Sequence, residues 1–377
     1  MRLFYSRDHS HINPFFRKIH LHDLDFLVEK HKWTFTESLE DADIVPCSFY
    51  NFQHGIDDSL LQQLKPNQIL LIWYVETPGD HLTPEYLREV IQSSALYGKH
   101  PRTIFAHTNL MDADDPLMIP INVMFNRQKA NMTDYDEEVC RFKAWTWDVP
   151  SYTYSLGPIE KNYSPENKSF LCPNRVPSED ADPLSFAGRK ISLHQHIRNL
   201  NVGVYLSDPR NGYYLLPNNW ENNPEIAHIN TSDGGSWYPI GDKYYNTSYI
   251  SVCIESLIRD PNMFYPSEKY FDPLIKGNFP LIYAGPYVIQ RLREIYGFKF
   301  PDWIDYSYDL IEQESERFPA FLDSVTKASA IPLTELHRLY EKDKHILEHN
   351  RNVFYNRPYD SLFDKLKESI QKLNWNL

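Results

Sequence analysis

The chain has 377 residues, 42% of them hydrophobic and 24% charged, a globular profile long enough for two ordinary domains. Its formal net charge is -13, from 38 basic and 51 acidic residues, which counts against duplex nucleic acid as the main partner, because phosphate neutralisation calls for a basic field. Four scattered cysteines, Cys47, Cys140, Cys172 and Cys253, include no CxxC pair and predict neither a zinc site nor a disulfide framework.

At the N-terminus, "MRLFYSRDHSH" lacks an apolar leader, and no apolar run along the chain approaches the ~20 residues of a membrane span. The expectation is a cytoplasmic protein without a membrane span. "RLFYS" then reads as a strand, "LHDLDFLVEKH" as a helix and "ADIVPCSF" as a strand. "QILLIWYV" is the strongest strand signal, a near-continuous apolar run of the kind buried on both faces. The turn "ETPGDHL" follows, and Thr83 and Pro84 then open a helix as N-cap and first helical residue. "RTIFAHTN" and "INVMFN" read as further strands, and strand alternating with helix predicts a parallel α/β domain over residues 1–155.

The pattern breaks into a polar stretch ending "GPIEKNYSPENK" and restarts with the strand "SFLCPNR". The helix "SFAGRKISLHQHIRNL" and the strand "GVYLS" come next, and the polar segment from Asp208 to Tyr245 reads as one long loop. "SYISVCI" and "FPLIYAG" are two more buried strands, so residues 156–325 form a second α/β domain. Residues 326–377 hold two amphipathic helices expected to pack across both domains; in the second, Leu362, Phe363, Leu366, Ile370 and Leu373 share one face.

Between the last two strands lies "ESLIRDPNMFYPSEKYFDPLIKGN". Ser267 is placed as N-cap, Glu268 and Lys269 in the first helical turn, and Gly277 as the stop; Glu255 ends the preceding strand. Such a helix points its N-terminus over the strand ends, where open α/β sheets bind ligands. A helix N-terminus beside a lysine suits a diphosphate, and a neighbouring carboxylate can accept from ribose hydroxyls. A surface helix with ordinary first-turn charges is the plain alternative. The 26 tyrosines and 8 tryptophans suit sugar or base stacking, although an aromatic core accounts for most of them.

"FYPSEKYFDPLIKGNFPLIYAG" resembles the nucleotide-sugar domain of the α-1,3-fucosyltransferases, with Ser267 where their Tyr-(Ile/Val)-Thr-Glu-Lys motif has threonine. "VIQRLREIYGFKFPDWIDYSYDLIEQESERF" is similar to bacterial and phage glycosyltransferase-like proteins, and "KSFLCPNRVP" to the strand that opens this domain in the same group. "IWYVETPGDH" resembles the fucosyltransferases' Trp-x-x-x-Glu-Ser-Pro stretch. The resemblance covers about a third of the chain. It implies a GT-B-like α/β fold, two Rossmann-like domains facing across a cleft with C-terminal helices. It also implies an inverting transfer of sugar from a nucleotide sugar to a hydroxyl, unaided by metal — so no cofactor — with a glycan as acceptor. Glu76 would be the catalytic base, Glu268 the ribose partner and Lys269 the diphosphate partner. Ser267, Glu255, Arg175 and Asn174 complete the implied donor site.

Two alternatives stand beside this expectation: a transferase acting on hydroxymethylated DNA bases, for which "GRKISLHQHIRNL" supplies only a modest basic cluster, and a non-catalytic nucleotide- or carbohydrate-binding protein. "DAD" at 41–43, 112–114 and 180–182 has the form of a metal-binding Asp-x-Asp but is expected by chance among 51 acidic residues. "HLH" at 20–22 and "HQH" at 194–196 diverge on a helix and read as packed or solvated histidines.

Overall fold

The computed structural model describes residues 1–4, 34–48, 62–73, 102–107, 116–120, 159–173, 182–208, 212–216, 242–255, 258, 261, 264–357 and 362–375. The chain divides into two compact units. The first comprises Met1–Ser155, Asn262–Tyr265 and Tyr359–Leu377; the second comprises Leu156–Pro261 and Pro266–Pro358. Both are α/β.

The first unit is built on a six-stranded sheet with the order β2-β1-β3-β4-β5-β6 and every pair parallel. Its strands are β1 (Arg2–Phe4), β2 (Thr34–Thr36), β3 (Ile44–Ser48), β4 (Ile69–Trp73), β5 (Thr103–His107) and β6 (Met118–Pro120). Ile69, Leu70, Leu71 and Ile72 of β4 are buried, as an apolar run with a parallel neighbour on each side must be. The turn before β4 is fixed by Gln68, whose Nε2 donates to the carbonyls of Leu39 (2.6 Å) and Ala42 (2.8 Å) while its Oε1 accepts from the Lys65 amide. The strand read at 121–126 and the helices read at 21–31 and 83–94 lie outside the described residues.

The second unit holds a five-stranded sheet of order β11-β10-β7-β8-β9, from β7 (Lys168–Cys172), β8 (Val204–Asp208), β9 (Gly212–Leu216), β10 (Ser248–Ile254) and β11 (Phe279–Tyr283). Counted within this unit from the β9 edge, the order is 3-2-1-4-5, the order of Rossmann-type nucleotide-binding sheets. One strand departs: β9 runs antiparallel to β8, with Val204 opposite Leu216 and Asp208 opposite Gly212. Helix α1 (Phe186–Asn199) links β7 to β8, the short α2 (Asp242–Asn246) precedes β10, and α3 (Glu268–Lys276) links β10 to β11. After β11 come α4 (Val288–Arg291), α5 (Glu314–Ser329) and α6 (Leu333–Asn356); α7 (Leu362–Lys372) belongs to the first unit, where Lys365 donates to the Pro120 carbonyl. All seven residues of β10 are buried, consistent with its place between β7 and β11.

One element corrects the sequence expectation and a second adds to it. The segment expected as one polar loop contains β9, where "GYYLL" pairs antiparallel with β8. The second is α5: Phe318, Phe321, Val325 and Ala328 bury one helical face, and Pro319, near the helix start, removes one backbone donor without ending the helix.

Helix α3 is fixed along its whole length. Tyr270, Phe271, Leu274 and Ile275 are buried, and Phe271 meets Tyr296 and Phe354 at 5.6 and 5.5 Å between ring centroids. Pro273 cannot donate to the Lys269 carbonyl one turn back, and the Cys253 thiol of β10 points at that oxygen from 3.8 Å. Arg351 of α6 donates to the Ile275 carbonyl in the last turn (Nε 2.8 Å, Nη2 2.6 Å). Gly277 closes the helix at φ 91°, and a Cβ there would lie 3.2 Å from Ile159 Cγ2. Gly277→Ala is therefore expected to lower stability by about 1–2 kcal/mol, from the left-handed conformation alone, as read by chemical denaturation. A variant as stable as the parent would show that the helix end relaxes to another conformation.

Candidate functional site at the carboxyl edge of the second sheet

The chain leaves β7 toward β8 on one side and later returns to place β10 on the other, so the strand order reverses between β7 and β10. At such a switch point neighbouring connections diverge and leave room beyond the carboxyl ends of the strands. Glu255 stands there as the first residue after β10, its backbone N–H still bonded to the Tyr283 carbonyl at 2.9 Å. The same connection brings in the N-terminus of α3.

Ser267, Lys269 and Glu255 form one polar node. Ser267 is the N-cap: its Oγ accepts from the Lys269 backbone N–H at 3.2 Å and donates to Glu255 Oε1. Lys269 Nζ lies 3.5 Å from Glu255 Oε2 and 3.4 Å from Ser267 Oγ. The Glu255 side chain is 3% exposed and that of Lys269 17%, so the carboxylate forms the floor of the node and the ammonium its solvent side. A lysine in the first turn sits at the positive end of the helix dipole, an unfavourable place that the carboxylate offsets. The node thus gathers an ammonium and a helix N-terminus where an anion could meet them.

Arg317 of α5 is 1% exposed and donates to a set of carbonyls. Its Nε donates to Ala284 O (3.2 Å), Nη1 to Ile311 O (2.7 Å) and Glu312 O (2.6 Å), and Nη2 to Ile258 O. It thereby ties the segment after β10 to the one after β11. Its guanidinium carbon is 5.5 Å from the centre of the Tyr283 ring, whose phenol burial pushes up to about 12 against the pull of that cation. Asp309 fixes the next helix start: its carboxylate oxygens each accept at 3.1 Å, from the amides of Ile289 and Gln290 in α4. Burial raises the Asp309 pKa, and these backbone donors oppose the shift. Neither Arg317 nor Asp309 was anticipated. The helical period of α5 is the only sequence signal for Arg317, and Pro319 masks it.

The opposite edge is a contrast. Lys161, 6% exposed, donates to the carbonyls of Tyr245 and Ser248 and to Asn278 Oδ1, and burial pushes its pKa well below the ordinary lysine value. Three oxygens surround it at the start of β10. That lysine belongs to the core.

Of the residues expected at the donor site, Ser267, Lys269 and Glu255 come together in the node. Glu268 opens α3, but its side chain lies outside the described residues, as do Asn174, Arg175 and Glu76. The Asp-x-Asp pair at 41 and 43 engages Arg2, with Asp43 Oδ2 accepting from its amide at 2.6 Å and Asp41 lying 3.8 Å from its guanidinium. Asp182 Oδ1 accepts from the Leu184 amide in the turn before α1, and residues 112–114 lie outside the described residues. His194 is buried with Nε2 3.7 Å from the Cys172 thiol, and His196 Nε2 lies 2.9 Å from Thr326 Oγ1 of α5. Among the described residues no three histidine, cysteine or acidic side chains converge as a metal site, and no helix is long and apolar enough to cross a membrane. No protein-family model and no curated protein matches the chain.

Proposed function

We propose that the protein is a nucleotide-sugar glycosyltransferase whose second unit binds the donor's diphosphate at the N-terminus of α3. The observation that carries the reading is the Glu255–Ser267–Lys269 node at the switch point of a sheet with Rossmann-type order. Backbone N–H groups and an ammonium at one helix start can neutralise a departing diphosphate without added charge. The finer architecture of this reading is the GT-B arrangement, supported by a separate α/β sheet in each unit, parallel throughout in the first and parallel but for β9 in the second. Glu76 is the proposed base, Glu268 the ribose partner, and Arg175 and Asn174 further donor contacts, all on the fucosyltransferase resemblance. The proposed reaction is inverting and independent of metal, and its acceptor is a glycan hydroxyl. A cytoplasmic setting goes with this reading.

The test is nucleoside diphosphate binding by calorimetry, with UDP, GDP, CDP and TDP each titrated into the parent and Lys269→Ala. One of the four is expected to bind, and Lys269→Ala to weaken it by about 1.5–3 kcal/mol, the range for a hydrogen bond to a charged group. Circular dichroism checks that the variant is folded. Equal affinity in a folded Lys269→Ala protein would remove the diphosphate site from α3.

A further inference from the structure

We infer that Glu255 is a positioning residue for this site: its carboxylate holds Lys269 and Ser267 in place and does not itself touch the ligand. This rests on the donor-binding reading above and refines it, because sequence alone put Glu255 among the residues that contact the nucleotide. Two observations separate it from them. Its side chain is 3% exposed, so a ligand arriving from water meets Lys269 first. Its two oxygens also face inward partners, Oε1 accepting from the Ser267 hydroxyl and Oε2 lying 3.5 Å from the Lys269 ammonium.

The physical need for such a residue follows from the helix. An ammonium on the first turn is repelled by the N-terminal end of the dipole, and a long lysine side chain left to itself would extend into water. A buried carboxylate beneath it draws the ammonium back over the helix start. The Ser267 hydroxyl, by donating to Glu255, keeps its lone pairs turned toward the Lys269 amide and ammonium, at 3.2 and 3.4 Å. The Glu255 amide is itself held by β11 through the Tyr283 carbonyl, so the carboxylate is referenced to the sheet. Sheet, carboxylate and ammonium thus form one chain of fixed contacts that ends where the phosphates would lie.

Inorganic pyrophosphate is the probe, since it isolates the phosphate contacts from base and sugar. Calorimetry on the parent, Glu255→Gln, Lys269→Met and the double variant forms a cycle. Glu255→Gln is expected to weaken pyrophosphate binding by about tenfold, the upper end for one net hydrogen bond. The double variant should then bind no more weakly than Lys269→Met alone, because Glu255 acts through Lys269. Losses that simply add, or a Glu255→Gln protein with parental or tighter affinity, would overturn the positioning role. Lys269→Met binding like the parent would instead overturn the donor-site reading, and this role with it. Should Glu255→Gln fail to fold, Glu255→Asp withdraws the charge by one methylene. It is expected to show a smaller loss with the same dependence on Lys269, and additive losses would again overturn the role.

Discussion

Glu76→Gln is expected to bind nucleotide normally and to lose sugar transfer by ~10²–10⁴-fold, the usual contribution of a general base. In the proposed reaction the acceptor hydroxyl gives its proton to Glu76 as its oxygen bonds to the anomeric carbon. The bond from that carbon to the diphosphate breaks on the opposite face, and the diphosphate leaves with the electron pair. Configuration at the anomeric carbon is inverted. Glutamine keeps the shape of the side chain but cannot take the proton. Glu76 follows β4 by three residues in the chain, and β4 is the buried strand between β3 and β5. The residues after such a strand emerge at the carboxyl edge of the sheet, where α/β domains carry their chemistry. Transfer assays and the anomeric configuration of the product decide the matter together. Near-parental transfer by Glu76→Gln, or a product that keeps the donor's configuration, would remove Glu76 as the base of an inverting reaction.

Arg317→Ala is expected to cost at least about 3 kcal/mol of stability. The guanidinium serves carbonyls at four positions, Ile258, Ala284, Ile311 and Glu312, and alanine leaves them buried or partly buried without that donor. Each unsatisfied buried group costs about 1–3 kcal/mol, and water entering the vacated space recovers part of the total. Lysine at the same place should recover little, since one ammonium cannot reproduce the planar fork. Urea unfolding reads the effect as a shift in midpoint. A change below about 0.5 kcal/mol, the scale of ordinary surface substitutions, would show that the carbonyls find other partners. Because Arg317 joins the segments after β10 and β11, a destabilised but folded variant should also lose ligand affinity at α3.

Local signals were legible in the sequence. Ser267 as N-cap and Gly277 as stop bound α3 correctly, since each acts within a few residues through its own hydrogen bond or dihedral angle. The apolar runs of β4 and β10 announced strands buried on both faces, because a parallel sheet with neighbours on each side accepts little else. Where a local signal was weak, the sequence expectation fell short: "GYYLL" became a strand only when β8 offered it an edge, and no helix was expected over the residues that form α5.

What only the tertiary structure decided is which distant residues meet. Strand order placed β10 beside β7 across 75 or more residues of chain, and with it made Glu255 a switch-point residue. It also gave the two lysines different fates, Lys161 enclosed by three oxygens at the start of β10 and Lys269 17% exposed at the start of α3. Nothing in the local composition around either lysine distinguishes them. Charge, burial and hydrogen-bond partners of a side chain are set by whatever the fold brings within a few ångströms; Glu255 meets Ser267 across 12 residues of chain, Arg317 meets Ile258 across 59 and Lys161 meets Asn278 across 117.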